Sequence, residues 1–215
     1  MINKIACPLC KTTNSSKFYK EKFREYLRCL SCDFVFVPKM YHLSDAEEKS
    51  RYDTHNNDPN DHRYRHFLSQ LLVPLLERIQ QKSNGLDFGS GPGPTLSLML
   101  EECGHSVDLY DKFYANDISV FEKKYDFITA TEVVEHLSEP MEEISRLSGI
   151  LNNQGYLAVM TQILTSQIEF SSWYYKNDPS HIGFFTKKSL NFLASYLNIE
   201  VSFVSERVIF FKKNI

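Results

Sequence analysis

Gly85-Leu86-Asp87-Phe88-Gly89-Ser90-Gly91-Pro92-Gly93-Pro94 runs directly into the apolar stretch 95–103. The layout is a short apolar strand, a glycine turn and a helix. Glycine lets backbone approach a ligand closely, and the first turn of the following helix offers free N–H groups. Any nucleotide-like ligand is served by that arrangement. Two details narrow the class. Asp87 sets a carboxylate beside the turn, where a pyrophosphate is repelled. Pro92 and Pro94 each remove an N–H that a phosphate cradle would use. The loop therefore suits a ligand that is cationic close to Asp87.

S-adenosylmethionine, with its ammonium and sulfonium, has that character; NAD does not. Downstream, strands at 86–88, 107–110, 126–131 and 156–161 alternate with helices at 95–103, 141–151 and 188–197. Segments 199–204 and 207–211 read as a closing hairpin. Such alternation implies an α/β fold with a doubly wound, mostly parallel, Rossmann-like sheet. Ligands of these sheets bind beyond the carboxyl ends of the strands. Asp87, Asp111 and Glu132 fall at or just past strand ends and are expected to line one crevice. Upstream, 61–81 has helical apolar spacing, with Pro74 expected to kink or break it.

Three motifs carry a family resemblance over roughly residues 52–213. They are Leu86-Asp87-Phe88-Gly89-Ser90-Gly91-Pro92-Gly93, Tyr110-Asp111, and Tyr125-Asp126-Phe127-Ile128-Thr129-Ala130-Thr131-Glu132-Val133-Val134-Glu135-His136-Leu137. Together they resemble the class I S-adenosylmethionine-dependent methyltransferases, nearest the bacterial ubiquinone-biosynthesis O-methyltransferase branch. The resemblance implies a seven-stranded sheet whose last strand is antiparallel. It implies cofactor contacts from Asp87, Gly89, Gly91, Gly93, Thr131 and Glu132, and from Asp111 on the ribose hydroxyls. Residues 112–124 are too few for the helix, third strand and adenine-contacting acid the family usually fits there. Asp117 and Ile118 are the local candidates for the adenine, and the sheet edge is expected to be shortened.

Glu132, Glu135 and His136 share a face if a helical turn follows the strand. They form either a divalent-ion group of the kind seen in the quinone branch or a packed hydrogen-bonded set. Methyl transfer needs alignment and, for an oxygen or nitrogen nucleophile, a base. His181, in the turn-rich run 174–186, has the pKa range of such a base, and His136 is the second candidate. Its rival reading is a structural histidine tied to Asp178. Tyr52, His55, Tyr64 and Tyr175 are candidate substrate contacts, the first three in a lid.

Cys7-Pro8-Leu9-Cys10 and Cys29-Leu30-Ser31-Cys32 are two C-x-x-C pairs with eighteen residues between them. That spacing fits a four-thiolate zinc site, so a small N-terminal zinc ribbon with a structural metal is expected. Two disulfides are the alternative, disfavoured in a reducing compartment. Cys103 reads as a buried thiol. The expected division is a ribbon at 1–40, a linker, lid and helix at 41–84, and a cofactor-binding domain at 85–215. On that division the main domain folds without residues 1–40.

Net charge is −3, and no apolar run is long enough to span a bilayer. The N-terminal residues lack the apolar core of a signal peptide, so a cytoplasmic protein is expected. Residues 1–40 hold eight Lys or Arg against three Asp or Glu. That surplus keeps open an RNA methyltransferase that grips nucleic acid through the ribbon. Ala130-Thr131-Glu132-Val133, standing where base-amine methyltransferases carry an Asn-Pro-Pro-Tyr-like tetrad, argues for a small-molecule acceptor instead. A cofactor-binding module without turnover is the third reading.

Overall fold

The computed structural model describes residues 5–54 and 58–214. β1 (Ser15–Lys20), β2 (Glu25–Cys29) and β3 (Val35–Phe36) form an antiparallel meander. A fourth strand, β8 (Gly183–Phe184), joins it from far along the chain, pairing Val35 with Phe184 and Phe36 with Gly183.

The second sheet holds β4 (Asn84–Phe88), β5 (Ser106–Tyr110), β6 (Tyr125–Thr131), β7 (Leu151–Met160), β9 (Ile199–Phe203) and β10 (Val208–Lys213). Their order is β5-β4-β6-β7-β10-β9. The first four run parallel, and β10 and β9 close the sheet antiparallel, as the hairpin reading expected. β7 begins at Leu151, five residues before the expected start at 156.

Side chains alternate across this sheet, as the pleat requires. Phe127, Ala158 and Phe210 meet α2 (His62–Leu76) and α3 (Thr95–Glu102) through Leu68, Leu71, Leu75 and Leu100. Ile128, Leu157 and Ile209 face the opposite way, toward Ile144 and Leu147 of α4 (Pro140–Ile150) and Leu190 and Leu193 of α5 (Lys187–Leu197). The winding is therefore double. Pro74 lies inside α2, and the helix stops two residues later at Leu76, short of the expected 81.

Among the described residues the sheet has six strands, not seven. Residues 112–124 form a turn and a 3-10 segment, Ile118–Glu122, in place of a helix and a strand. β5 is left as an edge. Asp108 on it accepts from Lys123 Nζ at 2.7 Å and Tyr125 Oη at 2.8 Å.

The boundary at residue 40 does not separate two cores. One apolar cluster runs from Cys7, Leu9 and Phe34 to Leu86, Ile128 and Leu193. Another joins Tyr26 and Val35 to Phe170, Trp173 and Phe184. Cys103 ends α3 at the surface and is exposed, correcting its reading as a buried thiol. No described helix is long and apolar enough to cross a membrane.

Candidate active site

The glycine turn after β4 is held from two sides. Gly89 and Ser90 N–H groups donate to Tyr110 O at 2.7 and 3.2 Å. Gly91 N–H donates to Asp111 Oδ2 at 3.0 Å, and Asp111 Oδ1 accepts from Phe113 and Tyr114 N–H at 2.8 and 3.1 Å. Gly89 has φ 77° and Gly91 φ 66°, backbone that side-chain-bearing residues rarely adopt. A Cβ on Gly89 would stand 2.4 Å from Val133 Cγ2. The turn is thereby drawn close to the end of β6.

A cavity of about 1040 Å³ opens over this turn. Gly89, Gly91, Asp111, Thr131 and Glu132 line it, as the sequence expected. Among the described residues, Ser90 Oγ and Thr131 Oγ1, both of lining residues, are buried without a hydrogen-bond partner. Such orphan groups are costly unless a ligand meets them.

Asp87 is not in the lining. Its carboxylate is buried and accepts from Thr129 Oγ1 at 2.7 Å and Ser97 Oγ at 2.8 Å, with burial pushing its pKa up. It ties β4 to β6 and α3 beneath the turn, which corrects its reading as a carboxylate facing a cationic ligand. Gly93 is likewise set back, its carbonyl accepting from Thr95 N–H at 2.8 Å. Asp117 caps the 3-10 segment through Ser119 N–H, and Ile118 is exposed, so neither reaches the cavity. That end is walled instead by Phe88, Tyr110 and Arg146. The Arg146 guanidinium lies 3.6 Å from the Phe121 ring centroid and pairs with Glu143. Arg146 carries no motif, and only the fold brings it over Phe121.

At the other end stand Tyr52, Tyr64, His136 and His181. Tyr52, on α1 (Asp45–Tyr52), meets the His136 ring edge-on at 5.6 Å. Tyr64 stacks on Phe67, another lining residue. His55 lies outside the described residues. Tyr175 is buried behind the wall rather than in it, where its hydroxyl donates to Glu135 and meets Thr161 Oγ1 at 3.1 Å.

The expected Glu132–Glu135–His136 face is divided by a 3-10 turn at Val134–His136. Glu132, at φ 53°, pairs with Arg207 Nη1 at 2.9 Å. Glu135 and His136 gather instead with His181, one donor atom of each lying within 4.8 Å of the others. Burial, then the nearby charge of Glu132, pushes the Glu135 carboxyl up to about 8. Burial pushes the His181 imidazole down. His181 Nδ1 lies 2.7 Å from Tyr175 O, and a carbonyl only accepts, so Nδ1 carries the proton and Nε2 the lone pair. His181 N–H also donates to Asp178 O at 3.2 Å, so the tie to Asp178 runs through backbone.

Behind the wall, the four cysteine Sγ atoms lie within 4.8 Å of one another, a cluster fit to hold a metal. Cys7 and Cys32 Sγ are 3.7 Å apart, and Cys10 and Cys29 Sγ 3.4 Å. Lys11 and Asp33, each one residue past a C-x-x-C pair, have φ 59° and 68° and turn both knuckles inward.

Solved structures share this fold at low sequence identity. An Archaeoglobus fulgidus SAM-dependent methyltransferase superposes with TM-score 0.55 and 18% identity, over 69% of this chain and 94% of its own. A Burkholderia thailandensis 1,6-didemethyltoxoflavin-N1-methyltransferase, with bound 1,6-didemethyltoxoflavin and S-adenosylhomocysteine, gives 0.54 and 14%, over 93% and 100%. A Methanosarcina mazei SAM-dependent methyltransferase gives 0.51 and 15%, over 66% and 97%. Comparison with curated protein sequences gives no match. The family described as Methyltransferase domain matches residues 61–201, from α2 to β9; the chain belongs to this methyltransferase family.

Proposed function

We propose that the protein transfers a methyl group from S-adenosylmethionine to an oxygen or nitrogen of a small molecule. The observation that carries this reading is one continuous cavity joining the Gly89–Gly91 cradle to His136 and His181. The cradle suits the cofactor, because Gly89 and Gly91 hold positive φ and bring bare backbone to the cavity. Asp111, which lines the cavity, is read as the acid on the ribose hydroxyls. When bound, the cofactor supplies a methyl on a sulfonium already activated for displacement. The chain's own residues align and deprotonate. His181, neutral and with its lone pair on Nε2, accepts the acceptor's proton. Tyr52, Tyr64 and Phe67 give the acceptor apolar walls.

The cysteine cluster suits zinc in a structural role. Zinc–thiolate bonds of about 2.3 Å set tetrahedral S···S edges of about 3.8 Å, near the separations found here. A cytoplasmic setting keeps such thiols reduced. Four of the eight N-terminal cations are engaged with acids: Lys11 with Glu139 and Glu142, Lys17 and Lys20 with Glu25, Arg28 with Asp33. That pairing favours the small-molecule acceptor over nucleic acid.

Calorimetry is the direct test. S-adenosylhomocysteine is expected to bind far more tightly than NAD; the reverse order sinks the reading. Once an acceptor is found, His181→Ala is expected to lower transfer by about 10²–10⁴-fold with cofactor affinity nearly unchanged.

A further inference from the structure

The segment holding His181 is gripped from outside the methyltransferase sheet. Asp178, Ser180, His181 and Ile182 all line the cavity, and β8 begins one residue later. On the cavity side, Arg51 of α1 donates to Asp178 Oδ2 at 2.9 Å. Asp178 Oδ1 in turn accepts from Ser180 N–H at 2.9 Å and Ser180 Oγ at 2.5 Å. On the far side the partners belong to the four-cysteine segment. Val37 N–H donates to Ile182 O at 2.9 Å, and β3 pairs with β8. Arg24, on the turn between β1 and β2, reaches across with both terminal nitrogens. Nη1 donates to Asp178 O at 3.1 Å, and Nη2 donates to His181 O.

Arg24 therefore holds the first and last carbonyls of the turn that presents His181. A guanidinium among backbone carbonyls, with no carboxylate of the described residues in ion-pair contact, is an expensive way to gain stability. Its Nε is buried and has no hydrogen-bond partner among the described residues. Its planar fork, however, spans two acceptors at a fixed separation, which a lysine cannot do. The backbone positions it fixes are those that aim the imidazole. With His181 O and Asp178 O both held, His181 Nδ1 stays on Tyr175 O and Nε2 keeps its lone pair.

We infer that Arg24 is a positioning residue for His181: the four-cysteine segment, through this arginine, sets the acceptor-side base while leaving the cofactor side untouched. The inference rests on His181 having the role proposed above. It assigns the N-terminal segment a part in the chemistry, as the rear wall of the acceptor subsite.

The test compares the full-length protein with Arg24→Met and Arg24→Lys by three measurements. Hydrogen exchange follows backbone opening at 178–183, ¹⁵N-histidine spectra report the His181 tautomer, and calorimetry gives S-adenosylhomocysteine affinity. In Arg24→Met, exchange at 178–183 is expected to rise about tenfold or more, because a paired charge-assisted contact is lost. The Nδ1–H signature of His181 should be lost, while S-adenosylhomocysteine affinity stays within about twofold. Arg24→Lys, which reaches one carbonyl, is expected to recover part of the protection. Unchanged exchange and tautomer in Arg24→Met overturn the inference, as does cofactor affinity falling in step with protection. If Arg24→Met fails to fold, wild-type protection and tautomer in Arg24→Lys overturn it equally. Wild-type protein that binds no S-adenosylhomocysteine removes the proposed function, yet the exchange and tautomer arms still judge Arg24.

Discussion

Glu135 is fully buried and keeps one oxygen on Tyr175 Oη, while the other has no hydrogen-bond partner among the described residues. Its carboxyl is pushed up to about 8, above the ordinary unfolded value of about 4.3. The unfolded chain therefore binds fewer protons at this site across that interval, and stability must fall as pH rises through it. Glu135→Gln keeps an acceptor for Tyr175 and removes the ionisation. Thermal melts at pH 5 and pH 8 are expected to show the variant gaining on wild type as pH rises. A constant difference between the two would assign the penalty elsewhere. At this scale the motif residues were only partly readable. Gly89, Gly91 and Asp111 follow from local backbone demands, so the sequence locates them. Asp87 was misread because its partners, Ser97 and Thr129, are placed by α3 and β6. Arg24, Arg146 and Arg207 leave no local pattern, since each acts across more than twenty residues of chain.

Elements were more legible than residues, because helical and strand periods are written locally. The parallel strands, α3 to α5 and the closing hairpin all fall near their expected places. β7 starts early because 151–155 lacks the apolar run that marks its buried half. β3 and β8 are two residues each and carry no period at all. The knuckles are a different case: spacing alone announced them, and the left-handed Lys11 and Asp33 complete the geometry. A site of four convergent thiols contributes folding free energy only when deprotonated and ligated. Prolonged exposure to a strong chelator is therefore expected to lower the melting temperature, with readdition of zinc restoring it. An unchanged melt in protein shown to have lost its metal would make the cluster energetically idle.

At the scale of the whole molecule, apolar clusters run across the expected boundary at residue 40. Residues 1–40 looked separable because their composition differs and the core periodicity starts later. Yet Tyr26 packs on Phe170 and Phe184, and Phe34 on Phe185. Burying each such aromatic contributes about 1.5–3 kcal/mol, so losing several removes much of a domain's margin of about 5–15 kcal/mol. A chain starting at residue 41 is expected to melt without a cooperative transition or to aggregate. A sharp transition close to that of the full chain would restore the two-domain view.

The shortened sheet has a last consequence, for encounters between molecules. With no third strand, β5 presents one flank of backbone N–H and C=O groups to solvent, a template for strand addition by a second copy. Asp108 guards it, locked to Lys123 and Tyr125. A docking strand would have to strip water from that ion pair. Asp108→Val is thus expected to show light scattering that grows with concentration more steeply than that of wild type.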